Sequence, residues 1–152
     1  MNRIILSLLI PLLLSTASCS QNRLFEQFHP FDEASWSEQD SVVFDLRELP
    51  SIDGKSLIAV KYTDTYGFSN CYIRVVTRDS SRSVLQNKLL NVPIFDSKSG
   101  QPLGEGFGNT FTKYDTLPFD LSKGTKEVIL VQYMRQAELE GIEAVGFKVL
   151  KP

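Results

Sequence analysis

The stretch Ile58–Val76, IAVKYTDTYGFSNCYIRVV, decides the fold class of this chain. Large apolar residues occupy every second position in its two halves, and a polar turn around Tyr66-Gly67 separates them. Successive side chains of a strand point to opposite faces, so a period of two in β-branched and aromatic residues is typical of half-buried strands. The stretch therefore predicts two strands joined by a turn.

The same period recurs along most of the chain. Further alternating runs lie at 42–46, 117–121, 129–133 and 145–149, and residues 109–114 also read as a strand. Glycine-containing turns separate them, and no long amphipathic helix interrupts the series. The pattern predicts a single all-β domain of about seven or eight antiparallel strands, a jelly-roll-like β-sandwich, with a small barrel as the alternative. Two segments are ambiguous: 82–92 fits a strand or a helical turn, and 134–143 fits a loop or a single turn.

The first 18 residues have the three parts of an export signal. Arg3 supplies a positive charge, residues 4–15 form an uncharged apolar run, and residues 15–18 are small. A membrane-spanning helix needs about 20 apolar residues, and this run is shorter and contains Pro11. Residues 1–18 are therefore predicted to be a signal peptide.

A cysteine directly follows this leader. Thr16-Ala17-Ser18-Cys19 resembles the bacterial lipobox, in which the cysteine receives diacylglycerol through a thioether before cleavage; Thr16 stands where Leu is commonest. The alternative is ordinary cleavage that leaves Cys19 as a free thiol. We expect Cys19 to be the lipidation site and the membrane tether. Residues 19–38 are polar, contain scattered aromatic residues and lack a period, which predicts a lipidated N-terminal arm before a sandwich domain at 39–152.

Composition excludes several functions. The formal charge of −2 becomes −3 when Arg3 leaves with the signal, so nothing suggests a nucleic-acid partner. His29 is the only histidine, which excludes histidine-based triads and multi-histidine zinc sites. With Cys19 alkylated, Cys71 has no disulfide partner, and its apolar neighbours predict a small buried hydrophobe.

Candidate catalytic and ligand-binding groups are weak. Glycoside hydrolysis needs two facing carboxylates, but no spacing selects a pair such as Asp115 with Asp120 or Glu138 with Glu143. The glycine-rich run 104–108 precedes a predicted strand instead of a helix, which favours close backbone approach over phosphate binding. We therefore expect no catalytic residue, cofactor, metal or small-molecule substrate.

Aromatic and basic residues leave two further possibilities. An exposed aromatic platform would make the protein a carbohydrate-binding surface lipoprotein, although most such residues in alternating strands belong to the core. The candidates are Trp36, Tyr66, Phe68, Tyr72 and Tyr114. Arg135, in an otherwise apolar stretch, fits either a buried ion pair, which we favour, or a partner contact.

Three local stretches, in order along the chain, resemble the GldH gliding motility lipoproteins of the Bacteroidetes. They are Tyr66-Gly67-Phe68-Ser69-Asn70, the run 103–108 (LGEGFG), and Gln132-Tyr133-Met134-Arg135 followed by residues 139–147 (LEGIEAVGF). Phe25 and Trp36 also fall where that family carries aromatic residues. Tyr133 and Cys71 depart from the pattern, at positions where a small residue and a larger aliphatic are expected.

This resemblance implies a process but no catalytic residues. It implies a non-enzymatic, membrane-anchored part of the gliding machinery, associated with type IX secretion and acting through contacts with other envelope proteins. Ser20, where Asp would favour retention in the inner membrane, favours sorting to the outer membrane. The segment 20–23 lacks an acidic surface-export run, so we expect the domain to face the periplasm.

Overall fold

A computed structural model describes residues 22–152, so the signal peptide 1–18 and the predicted lipidation site Cys19 lie outside the described residues. The prediction of an all-β sandwich is confirmed, with eleven strands in place of seven or eight. The first six are β1 (Arg23–Pro30), β2 (Ser35–Ser37), β3 (Val42–Asp45), β4 (Ser56–Thr63), β5 (Asn70–Arg78) and β6 (Val84–Pro93). The remaining five are β7 (Glu105–Phe107), β8 (Thr110–Thr116), β9 (Glu127–Gln132), β10 (Glu138–Glu140) and β11 (Ile142–Leu150). A 3₁₀ turn at Asp32–Ala34 joins β1 to β2.

The strands form two principal sheets. One sheet has five strands in the order β1-β11-β4-β8-β7, and the other has four in the order β3-β9-β5-β6. A two-stranded ribbon pairs β10 with β2, and every strand pairing is antiparallel. The start of β1 and the end of β11 lie at the same end of the sandwich. We call this end, which contains Arg23, the tethered end, because the predicted lipidation site Cys19 lies just before it in the sequence. The opposite end is called the distal end.

The core lies between the inner faces of the two sheets. The alternating positions predicted from the sequence supply it, and burying each large apolar side chain contributes about 1.5–3 kcal/mol to folding. Its strand-borne members include Val42, Phe44, Ile58, Val60, Tyr62, Cys71, Ile73, Val75, Val128, Leu130, Val145, Phe147 and Val149. The Tyr62 hydroxyl group donates a hydrogen bond to the Ile94 carbonyl oxygen at 2.9 Å, which satisfies its polar atom inside the core.

The segment expected to be an arm is part of the sheets from Arg23 onward. Strand β1 pairs with β11 along its length, and Trp36 of β2 is fully buried. The alternation is hidden because β1 is an edge strand: Gln27 shares the inward register of Phe147, whereas Phe28 lies over Gly146 on the outer face. The boundary expected at residue 39 therefore does not coincide with the start of the fold.

Two other local expectations change. Residues 117–121 alternate but form no strand, so that prediction was wrong; Pro118 lacks the N–H group that a strand ladder needs. The ambiguous segment 82–92 is mostly strand β6, and part of 134–143 forms β10, which pairs with β2.

The glycine-rich run provides close backbone approach, as predicted. A side chain at Gly106 would collide with the Thr110 carbonyl oxygen. A Cβ atom at Gly104 would lie only 2.8 Å from the Thr112 carbonyl oxygen. These glycines let the β7 hairpin fold tightly onto β8. Within residues 22–152, no helix is long and apolar enough to cross a membrane.

Candidate partner-binding surface

The outer face of the four-stranded sheet is unusually apolar. Strand β9 carries apolar residues in both phases: Val128 and Leu130 enter the core, whereas Ile129 and Val131 lie on the outer side, where Ile129 is covered by its neighbours and Val131 is half-buried. An antiparallel sheet with one solvated face normally places polar residues there. We call this surface the four-stranded face; its exposed apolar members include Val43, Tyr72, Leu89 and Tyr133.

Arg74 lies at the centre of the four-stranded face, directly opposite Leu89 on β6. Its guanidinium carbon sits 4.5 Å from the centre of the Tyr133 ring, and one guanidinium nitrogen donates a hydrogen bond to the Asn87 amide oxygen at 3.1 Å. Among the described residues, no carboxylate forms an ion pair with it. The positive charge of Arg74 is therefore held in place without being neutralised.

Arg135 lies beside this cluster and is exposed, so the favoured expectation of a buried ion pair was wrong. Its backbone φ of 57° places it in a tight turn after β9, where glycine is more usual. It lines two shallow depressions of about 330 and 480 Å³. Tyr72, Leu89 and Met134 line the first, whereas Glu38 and Arg74 line the second. Tyrosine, arginine and methionine are the residue types enriched at protein–protein interfaces.

The outer face of the five-stranded sheet, which we call the five-stranded face, has a different electrostatic character. Glu26 accepts hydrogen bonds from the Tyr114 hydroxyl group at 2.7 Å and from Arg23 at 2.6 Å, and Lys148 lies 3.7 Å away. Burial acts to raise the pKa of Glu26, but these hydrogen bonds and the lysine charge together lower it. Burial, and then the bond to Glu26, raise the pKa of Tyr114 to about 12.

A trough of about 910 Å³ runs along the five-stranded face. The rings of Phe28 and Tyr114 meet edge to face across it, with centroids 6.4 Å apart. Its lysines have acidic partners, since Lys61 lies 3.2 Å from Glu143 and Lys113 is 4.0 Å from Asp115. The charges of this face are thus largely satisfied within the chain.

A third depression, of about 830 Å³, lies at the distal end. Carboxylates line it, and neither lysine nor arginine does. The acidic members are Asp32, Glu33, Asp40, Glu138 and Glu140. Within residues 22–152, no group of three or more histidine, cysteine or carboxylate side chains is arranged to hold a metal ion.

The carbohydrate platform, considered as an alternative, does not form from its five candidates. Trp36 and Tyr66 belong to the core. Tyr72 and Tyr114 lie on opposite faces of the sandwich, and Phe68 lies in the loop before β5. The exposed candidates therefore make no continuous row.

The other candidate side chains have structural surroundings. Cys71 is buried as predicted, and burial raises the pKa of its thiol to about 12. Of the acidic pairs considered, Glu138 accepts a hydrogen bond from Ser35, and Glu143 accepts one from Thr110. His29 is exposed near the end of β1.

Comparison with known proteins identifies the family. The model of the GldH lipoprotein family matches residues 23–149, beginning at the first residue of β1. The chain belongs to the GldH lipoprotein family. Membership implies a cell-envelope protein anchored to the membrane by lipid.

No curated protein matches this chain. Among solved structures, the chain is similar to dimeric latent PorU from Porphyromonas gingivalis, with 9% identity and a TM-score of 0.41. That match covers 86% of this chain and 13% of PorU, so the chain spans only a small part of its length.

The four-stranded face was not predicted from the sequence. Arg135 was a candidate contact and Tyr72 a candidate sugar-binding aromatic, whereas Arg74 and Leu89 were not predicted to be partner-binding residues. A signal was present in residues 128–133, VILVQY, where apolar residues occupy both phases of one strand. A strand that is apolar in both phases, in a sheet covered on one side only, indicates an exposed apolar face.

Proposed function

We propose that this GldH-family lipoprotein is a non-enzymatic component of the gliding motility machinery, associated with type IX secretion, that contacts other envelope proteins through its four-stranded face. Family membership supports the process, because the family is one of gliding motility lipoproteins. The observation that carries the contact mechanism is the exposed group of Tyr72, Leu89 and Tyr133 around Arg74. The few residues that dominate the binding energy of protein interfaces are enriched in tyrosine and arginine.

In this proposal, lipid on Cys19 tethers the domain to the outer membrane and the domain faces the periplasm. The cysteine after a small-residue cleavage site and the absence of Asp at position 20 support that placement. Several acyl chains together make release from a bilayer slow, since each buried methylene contributes about 0.8 kcal/mol.

A deletion strain tests the process directly. Cell movement and the amount of secreted protein are measured after complementation with the intact gene or with Cys19→Ala. The proposal predicts that deletion abolishes one or both outputs and that only the lipidated form restores them. Normal movement and secretion in the deletion strain would remove the proposal.

Carbohydrate binding is the second candidate, supported by the paired rings of Phe28 and Tyr114 in the trough of the five-stranded face. Exposed aromatic rings can stack on sugars, and the trough also offers Lys113 and Glu105 as polar groups. Growth on defined glycans discriminates the two functions. A growth defect on one glycan, with movement and secretion intact, would favour this second function.

A further inference from the structure

The position of β1 restricts where the domain sits relative to its lipid. Three residues separate Cys19 from Arg23, where β1 begins, and the four residue-to-residue steps between them span at most about 14 Å when fully extended. Strand β1 itself has eight residues and is about 26 Å long. The domain therefore cannot stand on its distal end, because the start of β1 would then lie about 26 Å from the bilayer, beyond the reach of the tether.

Basic side chains are exposed at the tethered end. The Lys55 carbonyl oxygen accepts a hydrogen bond from the Leu150 amide, and the Lys151 amide donates one to the Asn22 carbonyl oxygen, so both lysines lie beside the start of β1. Lys123 lies in the loop before β9, at the same end of the other sheet. All three are exposed, and none forms an ion pair with another described residue.

Several acidic groups at the tethered end already have partners. Arg47 lies 2.7 Å from Glu127 and 3.6 Å from Asp45. The Asp79 carboxylate accepts hydrogen bonds from the backbone amides of Ser81 and Ser83 within its own turn. These contacts do not remove the negative charges, and Glu48, Asp53 and Asp120 are further acids at this end, but Arg78, Arg82 and Lys126 add positive charge there beside the three lysines.

The distal end has the opposite charge. Its depression is lined by five carboxylates without any lysine or arginine. A bilayer surface with net negative charge from anionic phospholipids attracts juxtamembrane lysines and repels carboxylates within about one Debye length. The distribution of charge and the attachment point of the tether thus favour the same orientation.

We propose that the domain stands on its tethered end, with Lys55, Lys123 and Lys151 contacting the headgroups of anionic phospholipids in the bilayer. The acidic distal end then points away from the membrane. In this orientation the four-stranded face stands roughly perpendicular to the bilayer and is open to protein partners from the side. The inference rests on the lipid anchor of the proposed function and adds the surface that meets the membrane.

Two turns with similar chemistry provide matched label positions. Ser80 and Ser97 are both exposed serines that directly follow an aspartate, and the carboxylates of Asp79 and Asp96 accept backbone hydrogen bonds within their turns. Ser80 lies at the tethered end and Ser97 at the distal end. Cys71 is buried and Cys19 is blocked by lipid in this proposal, so a new cysteine at either position can be labelled selectively.

The experiment uses the purified, lipidated full-length protein in vesicles of phosphatidylcholine and phosphatidylglycerol that contain a nitroxide headgroup lipid. Fluorophores are attached to Ser80→Cys, to Ser97→Cys and, on the four-stranded face, to Leu89→Cys. The nitroxide should quench the Ser80 label several-fold more than the Ser97 label, with Leu89 between them. The combined change Lys55→Glu and Lys123→Glu, or vesicles of phosphatidylcholine alone, should reduce this difference.

The other outcomes separate this inference from the proposed anchor. Equal quenching at Ser80 and Ser97, or strongest quenching at Leu89, in protein that floats with the vesicles would overturn the orientation and leave the anchor standing. A difference that is unchanged by lysine reversal and by neutral vesicles would overturn the headgroup contacts. Protein that does not float with the vesicles would overturn the anchor and the orientation together.

Discussion

The two outer faces of the sandwich differ in whether their charged side chains have partners of opposite charge within the chain. On the five-stranded face, Glu26 is surrounded by Tyr114, Arg23 and Lys148, so its charge is satisfied within the chain. On the four-stranded face, Arg74 has an aromatic ring and an amide as neighbours but no carboxylate among the described residues. A face that satisfies its own polar groups contributes to stability, whereas a face left incomplete is available for another molecule.

The largest expected effect on stability comes from breaking the packing of the five-stranded face. A Cβ atom at Gly146 would lie 2.8 Å from the Phe28 ring, so Gly146→Val must displace that ring from Tyr114. We expect the free energy of unfolding to fall by about 1–3 kcal/mol, as overpacking usually costs. Urea denaturation measures it. The control is Gly67→Ala, where a Cβ meets nothing within 4 Å; an equal loss there would contradict the packing explanation.

Glu26 provides the next largest effect. Glu26→Gln keeps an oxygen acceptor but removes the charge that holds Arg23 and Lys148. Because the site is near the surface, we expect a loss of about 1 kcal/mol in the free energy of unfolding. The matched change on the four-stranded face, Arg74→Gln, removes a charge that has no opposite partner there and should cost less. A larger loss in the free energy of unfolding for Arg74→Gln than for Glu26→Gln would contradict the expectation that the charges of the five-stranded face contribute more to stability.

The sequence predicted the fold better than it predicted the difference between the two outer faces. Alternation located the core of most central strands, because residues such as Ile58 and Phe147 face a continuous apolar interior. It failed for edge strand β1, where Gln27 takes an inward register and Phe28 covers a glycine on the outer face. Short strands such as β10 were also not predicted, because three residues are too few to show a period.

The candidate surface was harder to predict for a physical reason. Whether an apolar residue is core or surface depends on what covers its side of the sheet, which the sequence of one strand does not contain. Arg74 illustrates this limit: its significance lies in the absence of a nearby carboxylate, a property of the register between β5, β6 and β9. Family resemblance indicated the process but gave no contact residues.

A smaller effect should appear when pH changes. The folded-state pKa of Glu26 is lowered, so its contribution to stability is present above the ordinary glutamate pKa of about 4.5 and is lost as the pH falls through the lowered value. The difference in unfolding free energy between the wild type and Glu26→Gln should therefore shrink on acidification. Denaturation at a series of pH values measures it. A difference that grows as the pH falls would show that the carboxylate is not stabilised in the fold.

The smallest effect on stability is expected on the four-stranded face itself. Leu89 is 48% exposed, so Leu89→Ser should change the free energy of unfolding by no more than about 0.5 kcal/mol. Thermal denaturation of the two proteins measures the difference. A loss comparable with that of Gly146→Val would mean that Leu89 serves the core and not a partner.

The central claim is that the four-stranded face binds a partner and the five-stranded face does not. Two double variants with the same change in charge test it, each at residues directly opposite on neighbouring strands: Arg74→Glu with Leu89→Asp, and Lys61→Glu with Thr112→Asp. The measurement is cell movement in a deletion strain that expresses either variant at equal level. The account predicts that the first variant fails to restore movement and the second restores it. Restoration of movement by the first variant would contradict the account.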